Sequence, residues 1–445
     1  MRTQCISSRP HVQGCGTPLR LAAGASNVTD GAGLLLLRQV WDRLAIGAWL
    51  DERTGGIAGV FRCSLMVEVW IALLWYGGSA LDHVGWLRAR KVRRMFGWRA
   101  VPDATTLGRW LRRASATLVP LLDQLLWRVV QLRWQVVGVT PQLTLLLDST
   151  VAVRYGRKQA GAEVGYNPKK RGRPSHHPMV AFLQESGDCV GIHWRPGNAH
   201  TADGAIAWIE ELVGRLRAAG VTDITVRMDK GFFSRAMVQA LYALDVSFLL
   251  KIPDHKWVRR CLGSRRRSEK DPSIWTATGT LYEARLLSCE WRRPLSAEEG
   301  SLGLETYEVT QRAHVLTNLE GIHVITAWRL YNQGALVEQR IAELGQLAVG
   351  RTAIDHLDGN ALLWSLGALA YQLLHVVRTT ALPGAWQRAQ PASLRAALFR
   401  MPAKLSTHAR KQYVQVTSDE PLRTTLGIAL RDLSKLEAVL LPAAA

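Results

Sequence analysis

The run Leu143-Thr144-Leu145-Leu146-Leu147-Asp148-Ser149-Thr150 is apolar apart from Thr144 until it ends on a carboxylate. A short apolar run of this kind predicts a strand buried on both faces, with Asp148 placed where the side chains leave the core. A second segment repeats the design. Ile224, Val226 and Met228 alternate into Asp229, which is followed by Lys230-Gly231-Phe232. Between the two, Met179 to Leu183 and Cys189 to Trp194 predict further strands, and Ala202 to Ala219 predicts a helix through Ile206, Ile209, Leu212, Val213 and Leu216. The expectation is an α/β fold with a mixed sheet that delivers two carboxylates at strand ends.

Working outward, the pattern from Gly33 to about Val137 is helical, with stripes at Leu35, Leu36, Val40 and Leu44 and at Val67, Ile71 and Leu74. The apolar run Ser64 to Leu81 is interrupted by Glu68 and by Gly77-Gly78, which predicts a buried helix and leaves too little for a membrane span. From Pro253 to about Trp328 short alternating runs such as Leu281 to Cys289 and Tyr307 to Val315 predict a β-rich insertion. Beyond it, Val337, Ile341, Leu344 and Leu347 mark a helix carrying Glu338, and Leu362, Leu366, Leu369, Leu373 and Val376 mark a longer one.

The 445 residues carry a formal net charge of +20 and a pI near 10.2, with Arg well ahead of Lys. Arg grips phosphate in a bidentate fork, so the balance points to nucleic acid once it stands beside clustered carboxylates. Cys5, Cys15, Cys63, Cys189, Cys261 and Cys289 are scattered without a C-x-x-C pair, which argues against a zinc module or a disulfide framework and fits a reducing cytosol. The first thirty residues lack a sustained apolar stretch, which speaks against a signal peptide and for a loose leader. Of the seventeen tryptophans, Trp70, Trp75, Trp86, Trp98 and Trp110 occupy apolar positions in the helical region and are expected to be buried.

Phosphodiester chemistry needs an activated nucleophile, a stabilised leaving oxygen and neutralised charge between them. Two divalent ions roughly 3.5–4 Å apart supply all three, and carboxylates are the ligands that suit Mg²⁺. Asp148, Asp229 and Glu338 are the candidate ligands, and a capping or salt-bridged carboxylate is the plain alternative for each alone. Ser149 is not expected to be a nucleophile, because no His stands beside it in an elbow motif.

Three segments carry a resemblance: Gly165-Tyr166-Asn167-Pro168-Lys169-Lys170-Arg171-Gly172-Arg173-Pro174-Ser175-His176-His177-Pro178, Arg195-Pro196-Gly197-Asn198-Ala199-His200, and Asp229-Lys230-Gly231-Phe232. With the Asp148 segment they resemble the DDE transposases of bacterial insertion sequences, in the insertion-sequence 4 group and closest to the insertion-sequence 1380 family. The resemblance implies a ribonuclease-H-like core interrupted by a β-rich insertion, an all-helical N-terminal region that engages the element's ends, and C-terminal helices. It implies Asp148, Asp229 and Glu338 as the catalytic, metal-binding triad for two Mg²⁺ ions, with Mn²⁺ as substitute. The group's Tyr-x₂-Arg-x₃-Glu-x₆-Lys pattern is met at Tyr331 and Glu338, whereas Gly334 and Gly345 stand at the Arg and Lys positions.

The expected organisation is a leader at 1–32, a DNA-end-binding helical region at 33–137, the first part of the core at 138–252, the insertion at 253–328, the second part at 329–380 and a C-terminal helical region at 381–445. Candidate DNA contacts are Lys169, Lys170, Arg171, Arg173, Asn198, His200, Lys230, Tyr331 and Arg340. Arg109, Arg112 and Arg113 join them, on a basic amphipathic helix that begins after Pro102-Asp103. The Arg-Gly-Arg-Pro core suits either general phosphate contact or insertion in a minor groove, and a solvated basic hairpin is its plain reading. Expected partners are double-stranded DNA at element ends and target, and a second copy of the chain when ends are paired. No membrane is expected, and the expected location is the bacterial cytoplasm with the nucleoid. The expected function is a transposase; a related nuclease without joining activity and a catalytically decayed DNA-binding copy are the alternatives.

Overall fold

The computed structural model describes residues 28–436, apart from 56, 58, 157, 168–169, 295–307, 333–334, 409–410 and 417–418, together with short strands β1 (Gln4–Ile6) and β2 (Leu19–Leu21). After β3 (Val28–Thr29), helices α1 (Leu35–Arg43), α2 (Ile46–Thr54), α3 (Cys63–Tyr76), α4 (Arg90–Phe96) and α5 (Ala104–Val137) follow in turn. Strand β4 (Gln142–Ser149) leads into a small ladder of β5 (Ala152–Val153) with β6 (Ser175–His176), then β7 (Met179–Leu183) and β8 (Cys189–His193). Helix α6 (Ala205–Ala218), β9 (Asp223–Met228), α7 (Arg235–Ala243) and β10 (Ser247–Ile252) complete the first half of the sheet.

The alternation of β9 and the apolar run of β4 both resolve into one nine-stranded sheet. Its order is β11-β12-β13-β14-β10-β9-β4-β7-β8, where β11 is Arg266–Arg267, β12 Trp275–Leu281, β13 Ala284–Pro294 and β14 Glu308–Thr317. β4, β9 and β10 are parallel, and every other neighbouring pair is antiparallel. The two parallel joins need crossovers, and α6 and α7 provide helices for them. The β-rich stretch after Pro253 does not stand apart from the sheet. β14 pairs with β10 from Leu249↔Thr317 to Ile252↔His314, covering what would otherwise be an open edge. Short helix α8 (Lys256–Arg260) bridges β10 and β11, and α9 (Val324–Asn332), α10 (Ala335–Gln346) and α11 (Leu357–Thr380) follow the last strand.

Both faces of the central strands β7, β4, β9 and β10 are covered, as their near-continuous apolar runs require. Leu143, Leu145, Leu147, Val226, Met228, Phe248 and Leu250 pack with Ile209, Leu212, Val213, Val238 and Leu241 from α6 and α7. Val180, Phe182 and Cys189 face the other way, into a core built on α3, α5 and α11. Helix α11 is long and apolar enough to cross a membrane, and it is buried among its neighbours. Helix α5 starts at Asp103, whose side chain accepts from the Thr106 N–H at 2.7 Å, and buries Leu107, Trp110, Leu111 and Ala114. In α3, the Glu68 carboxylate that interrupts the apolar run accepts from the Trp98 indole at 2.7 Å, and burial pushes its pKa up to about 7.

Three sequence expectations need correction. Residues 28–32 are packed and not loose: β3 pairs with Ala403–Lys404, and Ala32 is fully buried. The segment after 381 is not all helical, since Ala403–His408 and Lys411–Val416 form a hairpin that extends β3. Trp86 is exposed, because its short helix Leu81–Arg88 buries Val84 and Leu87 and leaves the indole stacked on His83 at 4.2 Å.

The polar centre that ties the layers together is Asp188, fully buried in the β7–β8 turn. It accepts from Arg133 Nη1 at 2.9 Å and Trp134 Nε1 at 2.9 Å on α5, and from Gln372 Nε2 at 2.6 Å on α11. Removing one partner of a buried ion pair leaves the other charge without compensation. Arg133→Leu is therefore expected to cost about 3–5 kcal/mol in denaturant unfolding at neutral pH, and a change under 1 kcal/mol would contradict this role.

Candidate active site

The site follows from strand register. In the parallel ladder Leu147 is opposite Met228, so Asp148 and Asp229 leave adjacent strands at the same end. Side chains alternate along a strand, and Leu145, Leu147, Val226 and Met228 point into the core of α6 and α7. Asp148 and Asp229 consequently share the opposite face. Glu338 arrives in the first turn of α10. All three carboxylates line one cavity of about 290 Å³, together with Arg227, Lys251 and Tyr331.

Helix α10 is docked by a buried ion network. Glu343, 1% exposed, meets Arg340 Nη1 at 3.0 Å and Arg378 Nη1 of α11 at 3.1 Å. Arg340, expected to contact DNA, is spent on this pair and approaches Gly187 at the far end of the β7 strand. Arg227, only 5% exposed, donates to the Leu330 carbonyl at 2.8 Å and to Gln184 Oε1 at 2.9 Å, which fixes the end of α9 and therefore Tyr331.

Electrostatics tie the carboxylates together. Burial pushes the Asp148 pKa up to about 7; the Ser149 N–H bond at 2.7 Å opposes this, and the charges of Asp229 and Glu338 add to it. Asp229 precedes the turn Lys230–Phe232 without capping it, so the capping alternative does not account for its carboxylate. Instead it accepts from Tyr331 Oη at 3.0 Å and lies 3.8 Å from Lys251 Nζ. Burial, and then the charge of Asp229, hold the Tyr331 phenol protonated far above its ordinary range. The Lys251 ammonium also sits 5.3 Å over the Tyr331 ring.

Three hard carboxylates on one cavity, which Lys251 only partly offsets at Asp229, fit a divalent cation of the Mg²⁺ type. Among the described residues no three His, Cys, Asp or Glu side chains already converge on one ion position. The carboxylates therefore share a cavity without being drawn to a common centre.

A second cavity, about 510 Å³, adjoins the first and shares Asp148 and Asp229 with it. Asn198, His200 and Lys230, expected to contact DNA, line it. Lys170, Arg171 and Arg173 are exposed on the excursion between β5 and β6, which leaves the sheet directly after Asp148-Ser149-Thr150. Lys170 and Arg173 both stack on Tyr155, at 5.0 and 5.8 Å. Lys169 and Gly334 lie outside the described residues. Arg109, Arg112 and Arg113 are exposed on α5, and Arg112 is paired with Asp355 at 2.5 Å. Arg88, Arg90, Arg94 and Arg99 are also exposed in the same helical region.

The sequence reading missed Lys251, Arg227 and His177. A single charge within the apolar strand Phe248-Leu249-Leu250-Lys251-Ile252 was the available signal for the first. His177 reaches Ser149 without an elbow motif: its Nε2 lies 3.1 Å from Ser149 Oγ, while Nδ1 is 3.0 Å from the Ala199 carbonyl. Nothing in the linear spacing of Ser149 and His177 announces that contact.

Because Asp148 holds its proton more tightly folded than unfolded, metal-free protein gains stability at low pH and loses it as pH rises from the ordinary Asp range, about 4, through about 7. In the presence of chelator, Tm should fall across that window more steeply for the wild type than for Asp148→Asn; parallel curves would contradict the raised pKa.

The family model described as transposase DDE domain group 1 matches residues 13–438. No curated protein matches the chain. Among solved structures, a cryo-EM structure of a piggyBac transposase synaptic complex with hairpin DNA aligns with a TM-score of 0.44 at 13% identity, covering 93% of this chain and 87% of that one. With a match that spans nearly the whole chain, this protein belongs to the DDE transposase family, group 1.

Proposed function

We propose that the chain is an insertion-sequence transposase of the insertion-sequence 4 group, closest to the insertion-sequence 1380 family, that binds terminal inverted repeats and catalyses DNA cleavage and strand transfer. The observation that carries this reading is the meeting of Asp148, Asp229 and Glu338 in one cavity beside a basic excursion. The strand order β8-β7-β4-β9-β10 supports a ribonuclease-H-like core, with β11 to β14 as its insertion.

In the first step the oxygen of water attacks the phosphorus at the element's end, the P–O3′ bond breaks, and the departing strand end takes a proton as a 3′-hydroxyl. In the second, that 3′-oxygen attacks a target phosphorus and displaces a target 3′-oxygen, so the number of phosphodiester bonds is conserved. Asp148, Asp229 and Glu338 would hold two Mg²⁺ ions, for which Mn²⁺ can substitute; when bound, they supply Lewis-acid activation and charge neutralisation. Lys251 presents an ammonium to phosphate oxygens at the same face, and Tyr331 keeps the Asp229 carboxylate oriented. Lys170, Arg171 and Arg173 grip the backbone near the cut, while Arg109 and Arg113 offer cations from the helical region. The chain works in the bacterial cytoplasm on nucleoid DNA, and paired ends call for two copies.

A second reading, binding without cutting, rests on Gly345, which leaves the group's Lys position without a cation. The two readings part on cleavage of the DNA flanking the gene. Asp229→Ala is expected to abolish strand cleavage while end binding stays within about threefold, since it removes a carboxylate and no phosphate contact. Loss of both together would count against the assignment. The Arg171→Ala/Arg173→Ala pair should weaken binding and lower the slope of log K against log salt by about one for each phosphate that the two guanidinium groups neutralise; an unchanged slope would route the DNA elsewhere.

A further inference from the structure

The β-rich insertion encloses a polar cavity of its own. Along β10, Lys251 reaches the carboxylate cavity, so the next residue, Ile252, points to the other face of the sheet. His314 on β14 is paired with Ile252, and Ser288 on β13 with His314, which puts both on that far face. The segment after α8 roofs them over. It lies so close to Gly279 that an added Cβ there would stand 1.9 Å from the Cys261 carbonyl oxygen, and the Gly263 N–H donates to the Thr278 carbonyl at 2.9 Å. Between roof and strands is a cavity of about 230 Å³, with the sheet between it and the catalytic carboxylates.

Its walls are rich in donors. Arg259, Arg265 and Arg312 line it together with Glu290. A guanidinium has five N–H groups and no acceptor. Arg265 Nη1 and Arg312 Nε donate to the two oxygens of Glu290 at 2.6 and 2.7 Å, which occupies both oxygens of that carboxylate but only one N–H of each arginine. Asp254 faces Arg259 at 3.5 Å and Arg312 at 3.7 Å, too far for strong hydrogen bonds. The Arg265 guanidinium also sits 5.0 Å over the Trp275 ring, which limits where its fork can aim.

One wall group has the opposite need. His314 is 1% exposed, its Nε2 donates to Asp254 Oδ1 at 3.1 Å, and its buried Nδ1 has no partner among the described residues. With the proton on Nε2, Nδ1 is a lone pair that needs a donor. The cavity therefore suits an anion that accepts on one side and donates on the other.

We propose that it binds a hydrogenphosphate group, either free phosphate or the terminal phosphate of a nucleic-acid strand. The unprotonated oxygens accept from Arg259, Arg265 and Arg312, and the remaining O–H donates to His314 Nδ1. Sulfate and an internal phosphodiester have the same tetrahedral oxygens and no O–H, so each leaves Nδ1 unpaired. This site goes beyond the transposase reading and stands whether or not the chain cuts DNA.

The test titrates full-length protein calorimetrically at pH 7.5, in chelator, with inorganic phosphate and with sulfate. Saturable phosphate binding is expected, about tenfold weaker in Arg265→Met and in Arg259→Met, unchanged in Lys251→Met, and about tenfold tighter than sulfate binding. Both arginine side chains are substantially exposed, so either variant keeps the fold intact. Absence of phosphate binding, its survival in both arginine variants, its loss in Lys251→Met, or sulfate bound equally well would overturn the proposal. Competition by an oligonucleotide with and without a 5′-phosphate then separates the sources. Displacement of phosphate by the 5′-phosphorylated strand alone identifies a strand end, and displacement by neither identifies free phosphate. Displacement by both would put internal phosphodiesters in the cavity and overturn the proposal.

Discussion

The parallel register of β4 with β9 is the constraint on which the site depends. Setting Leu147 opposite Met228 places Asp148 and Asp229 at the same height and on the same face. A slip of one residue would send one carboxylate into the core of α6 and α7, where Leu147 and Met228 now sit. The apolar neighbours specify the register, because each alternative buries a charge without a partner and exposes a leucine. The placement of both carboxylates at the strand ends is therefore secured by the burial of apolar neighbours along the same strands.

The third carboxylate depends on different physics. Glu338 belongs to a helix that lies off the sheet, and that helix is docked through Glu343, Arg378 and Arg340. A buried ion network is directional where apolar packing is not, and this one fixes how α10 faces the cavity. Asp188, clasped by Arg133, Trp134 and Gln372, ties the β7–β8 turn to α5 and α11 in the same manner. Helix, hairpin and sheet are thus connected by a few polar contacts embedded in the apolar layers that supply most of the stability.

What could be read from the linear chain was what repeats with a short period. The strands ending in Asp148 and Asp229, the helix bearing Glu338 and the basic excursion all announce themselves by local pattern. Lys251 and Arg227 did not, because a charge in a strand means little until its face is known. His177 meets Ser149 only through the folding back of β6 and the loop around Ala199. Trp86 sits in an apolar pattern yet is exposed, since an eight-residue 3₁₀ helix turns a different face inward than an α-helix would. Residues 28–32 lack a helical or strand period of any length, and their packing comes from a partner strand near 403 that local pattern does not reveal.

Joint action of three carboxylates from two strands and one helix on a metal ion is what the proposed function requires. Its most direct test is strand-resolved cleavage of the flanking DNA by Asp148→Cys, Asp229→Cys and Glu338→Cys, each assayed in Mg²⁺ and in Mn²⁺, because a thiolate is a poor ligand for the harder ion and a better one for the softer. All three variants are expected to be inactive in Mg²⁺ and to recover cleavage in Mn²⁺. Undiminished cleavage by Glu338→Cys in Mg²⁺ would contradict it.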